Sequence, residues 1–394
     1  MAPSLNLDDS LVAIEPQKVS ISVEDQKLID KIKEQLAEEL KLVPGYETNS
    51  SLMRWLIGWN RKIDQIIPRL RVALLDIYAM RIPEQDFSSV EKIVEYCDSI
   101  SEAANYLPGT LIGRDKCGNV VSLQVLGNLD GHGLMKAVRI SDLYISRIAE
   151  SEGVMNLSET GEQIGTTLII DLEGLCRDGV TLASIKVISI MLHQLQEMFP
   201  DVVRKILIVN APTWISAIFS LISVVLAKQT KQKIEFLGTD WKEQLQKYVD
   251  KQILYEHWGG TRKASTACGN VKMGGIIPEK LYYNESTDHV DLTDLKVVNV
   301  PARGSTFIEL EVTDEHKTIG WWWQNKHGDL DFHAMKCTDD GQETLVWPKF
   351  RLLTSFVPEY REIQHRGPGI YRLYFGNTHG KVFSKDVQYK FWVN

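Results

Sequence analysis

The chain has 394 residues, 44% hydrophobic and 24% charged, a globular composition with room for two or three domains. Its formal net charge is −8, from 44 basic and 52 acidic residues, and no long basic run supplies the electrostatic footprint of a nucleic-acid binder. Attraction to an anionic lipid surface would therefore have to come from a local patch, not from the whole-molecule charge.

In chain order, residues 1–21 carry Pro3 and Pro16 and are expected to form a flexible lead-in. Ser22 opens a helix, with Asp25 as a capping-box analogue, and Leu28, Ile32, Leu36 and Leu40 form one apolar stripe. Pro44 and Gly45 end it. A second helix runs from Leu52 to Trp59, and a third from near Asp64 to about Arg81, tolerating Pro68 early. Together, residues 22–82 predict a small α-helical domain.

Residues 83–265 alternate strands with helices, which calls for an α/β domain with a mostly parallel sheet. Glu91–Tyr106 reads as helix. Thr110–Ile112 and Val120–Leu126 read as strands around an Asp115–Asn119 turn, and Asp142–Glu152 as helix. Thr166–Leu172 is a continuous apolar strand of the kind buried on both faces of a parallel sheet. The long helix Leu182–Phe199 follows it. Next come a strand Ile206–Val209, a helix Thr213–Lys228 and a strand Ile234–Leu237. The middle helix is apolar nearly all round. From Thr213 to Ala227 its polar residues are Thr213, Ser216, Ser220 and Ser223, which fall on one narrow stripe. At roughly 22 Å it is too short for the ~30 Å hydrocarbon core of a bilayer. Two readings stand: an ordinary core helix, or a lid over a hydrophobic cavity that meets a membrane surface.

Lys242–Tyr248 is a short helix. Residues 266–280 form a Gly-rich linker, and from 281 to 394 helical periodicity gives way to alternation. Val297–Val300, Thr306–Val312, Thr318–Trp323, Asp329–Met335, Gly369–Phe375 and Val382–Val393 predict an all-β sandwich. In the run Trp321-Trp322-Trp323, alternation points Trp321 and Trp323 inward. Trp322 then points out beside Asp331 or His333, as a covered ring or as a membrane or partner contact.

The chain contains no Gly-x-Ser-x-Gly elbow, phosphate-binding Gly-Lys-Ser/Thr loop, His-Glu-x-x-His or EF-hand loop. The glycine-rich Gly127–Gly133 reads as a turn. The nine histidines show no metal-ligand spacing, and the five cysteines form no Cys-x-x-Cys pair. Asp171 and Glu173 end a buried strand where α/β ligand sites often lie, but a paired-carboxylate catalyst there is the weaker reading. No start signal and no run of 18 apolar residues is present, so a cytoplasmic chain with reduced thiols is expected. The residues favour a binder with an apolar cavity over an enzyme.

Several motifs in order carry a resemblance. Asp171-Leu-Glu-Gly-Leu175, Val209-Asn-Ala-Pro212, Phe236-Leu-Gly238, Trp241-Lys-Glu243 and Gly259-Gly260-Thr261 resemble the CRAL-TRIO lipid-binding fold. Leu52-Met-Arg54-Trp55-Leu56 resembles that family's helical N-terminal domain. Pro368-Gly369-Ile370-Tyr371, Phe375-Gly-Asn-Thr378 and the two inward tryptophans resemble a GOLD domain, so the order is similar to the tocopherol-associated, or supernatant-protein-factor, group. The resemblance implies that Thr213–Ala227 is the gate of a lipid cavity. The cavity wall would be Thr166, Leu168 and Ile170 of the sheet with Ile215, Ile218, Phe219 and Ile222 of the gate. It also implies headgroup candidates at Asp201, Thr230 and Lys233, with Trp59 standing where the family often has arginine. Phosphatidylinositol binding is weakened by that change, since an indole offers one N–H and no charge. The expected function is a cytoplasmic, peripherally membrane-associated lipid-binding and lipid-transfer protein. Its only cofactor is the bound lipid, it needs no metal and it performs no catalysis. The alternative is a lipid-sensing adaptor in trafficking or signalling that works through a protein partner of the sandwich.

Overall fold

The structure, a computed structural model, describes residues 20–157, 164–176, 180–287, 290–338 and 341–394. The expected lead-in up to residue 19 lies outside the described residues.

The first domain is helical: α1 (Val23–Gln35), α2 (Ala37–Leu42), α3 (Asn49–Gly58) and α4 (Ile63–Ala79). Ser22 caps α1 by accepting the Asp25 amide, and Thr48 caps α3 by accepting that of Ser51. The single helix expected through Leu28–Leu40 is two. A repeat of four residues advances about 40° more than a full helical turn at each step, so its stripe spirals away from the core. The break at Leu36, which leaves helical geometry with φ −122° and ψ 24°, lets Ile32, Leu36 and Leu40 all be buried.

The second domain begins with α5 (Val90–Ser99), shorter than the expected Glu91–Tyr106 because Ile100–Glu102 leave the helix. It continues through β1 (Thr110–Arg114), β2 (Val120–Val125), α6 (Gly131–Ala137), α7 (Ile140–Asn156), β3 (Thr166–Asp171) and α8 (Leu182–Met198). It is completed by β4 (Val203–Val209), α9 (Ile215–Ser223), α10 (Lys228–Gln232), β5 (Ile234–Phe236) and α11 (Trp241–Tyr248). Asp130 in the glycine-rich stretch caps α6 through the Gly133 amide, 2.8 Å away. The sheet runs β1-β2-β3-β4-β5, antiparallel at β1/β2 and parallel from β2 onward.

Residues 266–280 are a packed strap. Val271 and Ile277 are buried. Gly109 donates its amide to the Lys272 carbonyl at 2.8 Å, and Gly275 its amide to that of Asn128 at 3.0 Å.

The third domain is a sandwich of two four-stranded antiparallel sheets. Its strands are β6 (Lys296–Val300), β7 (Ser305–Val312), β8 (Thr318–Gln324), β9 (Leu330–Cys337), β10 (Glu343–Leu352), β11 (Glu359–Gln364), β12 (Gly369–Gly376) and β13 (Lys385–Val393). One sheet orders β10-β9-β12-β7 and the other β11-β8-β13-β6. Trp321, Trp323, Phe332 and Phe375 meet between them, with ring centroids 5.2–5.4 Å apart. Of the two readings of Trp322, the structure shows the covered ring and not the exposed contact: it is only 2% accessible. Strands β8 and β9 are consecutive but lie in opposite sheets, so Asp331 and His333 are not its neighbours. Its cross-strand partners are Tyr360 and Lys390, and Lys390 Nζ is held over that face by the Asp291 carbonyl.

Candidate functional site

Alternation along the parallel strands gives the central sheet two faces of different character. On one, Val121, Leu123, Ile169, Leu207 and Val209 are sealed beneath Trp241, Leu245 and Trp258. On the other, Leu168, Ile170 and Ile234 are only half-buried, and with Leu172, Ile206 and Ile208 they form a small separate cluster that Ile215 of α9 joins. The face is roofed by α8 and α9. Ile185, Ile188 and Leu192 of α8, three and four apart, are also half-buried. Half-buried apolar side chains of the sheet, α8 and α9 are thus left on this side of the domain.

The expected helix Thr213–Lys228 is interrupted. α9 ends at Ser223, a turn follows, and α10 starts at Lys228. No residue of α9 is fully buried, which removes the ordinary core-helix reading. Its four predicted gate residues, Ile215, Ile218, Phe219 and Ile222, are half-buried, whereas Ser216, Ala217, Ser220 and Leu221 are exposed. Ser216 and Ser220 of the stripe thus face out, Ser223 is half-buried, and Ser220 Oγ satisfies itself on the Ser216 carbonyl at 2.8 Å. Phe219 meets Phe236 of β5 edge to face, at 5.7 Å between centroids. Leu221 and Val224 are 55% and 79% accessible on the outer side. Thr166 sits at the far end of β3, buried, its amide bonded to the Val202 carbonyl.

The headgroup candidates lie outside the apolar cluster, in the turn before β4 and at α10 and its end. Asp201 takes Lys233 Nζ at 2.9 Å on one oxygen and Arg204 at 2.5 Å on the other. Lys233 also reaches the Val203 carbonyl at 2.6 Å. Thr230 contacts Gln196 at 3.4 Å and is less firmly held. Arg69 lies over the Trp59 ring, 4.2 Å from its centroid, and pairs with Glu197 at 2.7 Å. The chain thus carries a guanidinium on the indole that stands in the arginine position.

Sequence reasoning missed two constellations. Arg54 is buried, donates Nη2 to the Ile164 carbonyl at 2.6 Å, and is held down to about 10 by desolvation and by Arg204. The signal was a cation inside the apolar run Leu52–Leu56. The second is a knot at the top of β3. Asp171 Oδ1 accepts the Glu173 amide at 3.0 Å and Asn210 Nδ2 at 2.9 Å, and Oδ2 accepts the Trp258 indole N–H at 2.9 Å. His257 Nε2 stands 3.3 Å from Glu173 Oε2. Asp171, Glu173 and His257 offer donor atoms within 4.8 Å of one another, but both Asp171 oxygens are already spent on N–H donors. The knot ties three of the motif stretches together and is structural.

A mostly parallel sheet with one sealed face and one half-buried apolar face under α9 is the frame of this α/β domain. The family model of the CRAL/TRIO domain matches residues 104–260. That part of the chain is similar to the CRAL/TRIO domain, a family that binds and transfers lipids. The chain is 25% identical over 301 residues to "Protein real-time" of Drosophila pseudoobscura pseudoobscura, covering 74% of this chain and 41% of that protein. It is 25% identical over 293 residues to a CRAL-TRIO domain-containing protein of Caenorhabditis elegans, covering 72% of this chain and 69% of that one. The crystal structure of Sfh5 aligns with a TM-score of 0.46 at 15% identity, over 68% of this chain and 93% of that one. The chain spans well under half the length of the fly relatives it matches. Among the described residues, no helix is long and apolar enough to cross a membrane.

Proposed function

We propose that this chain holds one hydrophobic ligand, a phospholipid or an isoprenoid-type lipid, in a cleft under α8 and α9 and exchanges it at membrane surfaces without catalysis. It acts in the cytoplasm as a peripheral membrane visitor. The observation that carries the reading is the contrast between the two faces of one sheet: Ile169 and Leu207 sealed, Leu168 and Ile170 half open. Burying acyl chain from water is worth about 0.8 kcal/mol per methylene. A bilayer offers the same gain, so transfer into the cleft is near neutral in that term, and cleft shape with headgroup contacts selects the ligand. The inner apolar and outer serine faces of α9 suit a gate that swings out and exposes its apolar side to the bilayer. The cluster of Asp201, Lys233 and Thr230 takes the headgroup.

A second reading, a lipid-sensing adaptor, draws support from the sandwich, which we read as GOLD-like. It is tied to α8 by Lys186 and Asp329, 2.7 Å apart, so a change at the cleft roof has a route to the sandwich.

Native mass spectrometry of the purified chain, followed by lipid extraction, tests the primary reading. One lipid per chain is expected, and Phe219→Asp should abolish loading while leaving the sandwich folded. If no lipid copurifies and none can be loaded, the reading fails. Exchange of labelled lipid between vesicles separates carrier from adaptor: a lipid that never exchanges favours the adaptor.

A further inference from the structure

The loop between β12 and β13 has no role in the cleft, yet it is built to project. Val382 and Phe383 at its tip are 72% and 79% accessible, two adjacent apolar side chains placed fully in water. Their backbone is pinned. Asn377 Nδ2 donates to the Phe383 carbonyl at 3.0 Å, and the Gly380 amide closes the turn onto the Asn377 carbonyl at 3.0 Å. From the β6–β7 turn, the Arg303 amide bonds the Asn377 and Gly380 carbonyls, and its guanidinium bonds the Lys381 carbonyl at 3.2 Å. The tip is therefore a fixed protrusion, so it loses little conformational entropy on contact.

Its charge is one-sided. From Thr378 to Lys385 the sequence is Thr-His-Gly-Lys-Val-Phe-Ser-Lys, with two lysines, a histidine and no acid. Arg303 adds a third cation, its guanidinium held on the Lys381 carbonyl. Of the acids beside it, Asp331 accepts Thr378 Oγ1 at 2.9 Å and faces Lys349 at 3.5 Å and His379 at 3.7 Å, while Asp386, which accepts the neutral Asn299 Nδ2 at 2.7 Å, keeps its charge at the foot of the loop. In a chain of net charge −8, this is a local basic patch around an apolar wedge. Lys385 donates to the Asp329 carbonyl, and Asp329 pairs with Lys186 of α8, so the tip is linked to that helix.

We propose that the 378–385 loop, with Arg303, is a docking tip for anionic lipid bilayers: Val382 and Phe383 enter the headgroup–acyl boundary while Arg303 and Lys381 meet lipid phosphates and carboxylates. The tip deepens the exchange reading, on which it rests only for the purpose the docking serves. Opposite charge supplies attraction that salt screens, and the apolar pair supplies the insertion.

Vesicle flotation of the full chain tests it, using phosphatidylcholine vesicles with and without about 30% phosphatidylserine. The wild type is expected to float with the anionic vesicles, less so at high salt. The double variant Val382→Ser, Phe383→Ser should lower the bound fraction about tenfold. Lys381→Glu should lower it for anionic vesicles alone. All three side chains are exposed, so the variants should melt like the wild type and keep any copurified lipid. Wild-type chain that ignores anionic vesicles, or variants that float unchanged, would overturn the proposal. So would variants that float unchanged but lose a soluble protein partner, or variants that shed their lipid. A chain that carries no lipid but still floats through this tip would sink the cargo reading and leave the docking tip standing.

Discussion

Asp171 shows how a single carboxylate can organise a domain that does no acid–base chemistry. Its three N–H donors come from the turn after β3, from the end of β4 and from the segment after α11. Asn210 itself sits at φ 52°, a left-handed position asparagine tolerates, which aims its amide at Asp171. An asparagine at 171 would keep one acceptor oxygen and turn an N–H₂ toward a donor. Asp171→Asn should therefore destabilise the domain by about 2 kcal/mol or more, read as a lower urea midpoint for the central domain. Trp258→Phe removes one donor and leaves one acceptor unused, so its loss should be smaller. Equal stability in wild type and Asp171→Asn would show that the knot is incidental.

At the scale of elements, α9 is weakly anchored, since none of its side chains is sealed and it is nine residues long. Helices this short are marginal without packing. Amides 215–223 should exchange with deuterium well before those of α8, and lipid loading should slow them. Exchange of α9 as slow as α8 in lipid-free chain would refute a gate. The legibility of the sequence follows the same physics. α8 and β3 were legible because long period-3.6 or continuous apolar patterns are unambiguous, whereas the gate positions came from the family resemblance and not from spacing. The end of α9 at Ser223 was not legible, because an unbroken apolar run carries no stop signal. β10 was missed because Pro348 interrupts its alternation; the register shifts between Trp347 and Phe350, and an edge strand tolerates a residue that cannot donate. β11, Glu-Tyr-Arg-Glu-Ile-Gln, hid behind charges that are spent in the tertiary structure. Glu359 and Arg361 pair inward with α7, and no local pattern announces that. Trp322 is the covered ring of its two readings; its expected neighbours failed for a topological reason, since alternation fixes its face but not which strand lies alongside.

The three domains meet at seams that each bury a carboxyl. Tyr46 beside α3 donates to Glu152 of α7 at 2.9 Å. Asp76 of α4 accepts the Lys349 amide of β10. Ser141 of α7 donates to Glu359 of β11 at 2.7 Å, with Asp142, Arg361 and Arg139 around it. Burial pushes Glu152 and Glu359 up to about 7 and Asp76 up to about 8. At Glu359 the neighbouring Arg361 opposes that rise and Asp142 adds to it. A group whose folded-state value is raised binds its proton more tightly in the folded chain. The stability it contributes is present in full below the ordinary carboxyl range and is lost as pH rises through the folded value. The assembled chain should accordingly melt highest near about pH 5 and progressively lower toward about pH 8.5. Glu359→Gln keeps an acceptor for Ser141 and removes the ionisation, so it should flatten that slope and raise the melting temperature most at the alkaline end. Because Glu359 joins the sandwich to α7, the same variant should protect the seam from limited proteolysis at alkaline pH. A variant whose melting temperature falls with pH as steeply as the wild type would show that Glu359 does not titrate at this interface.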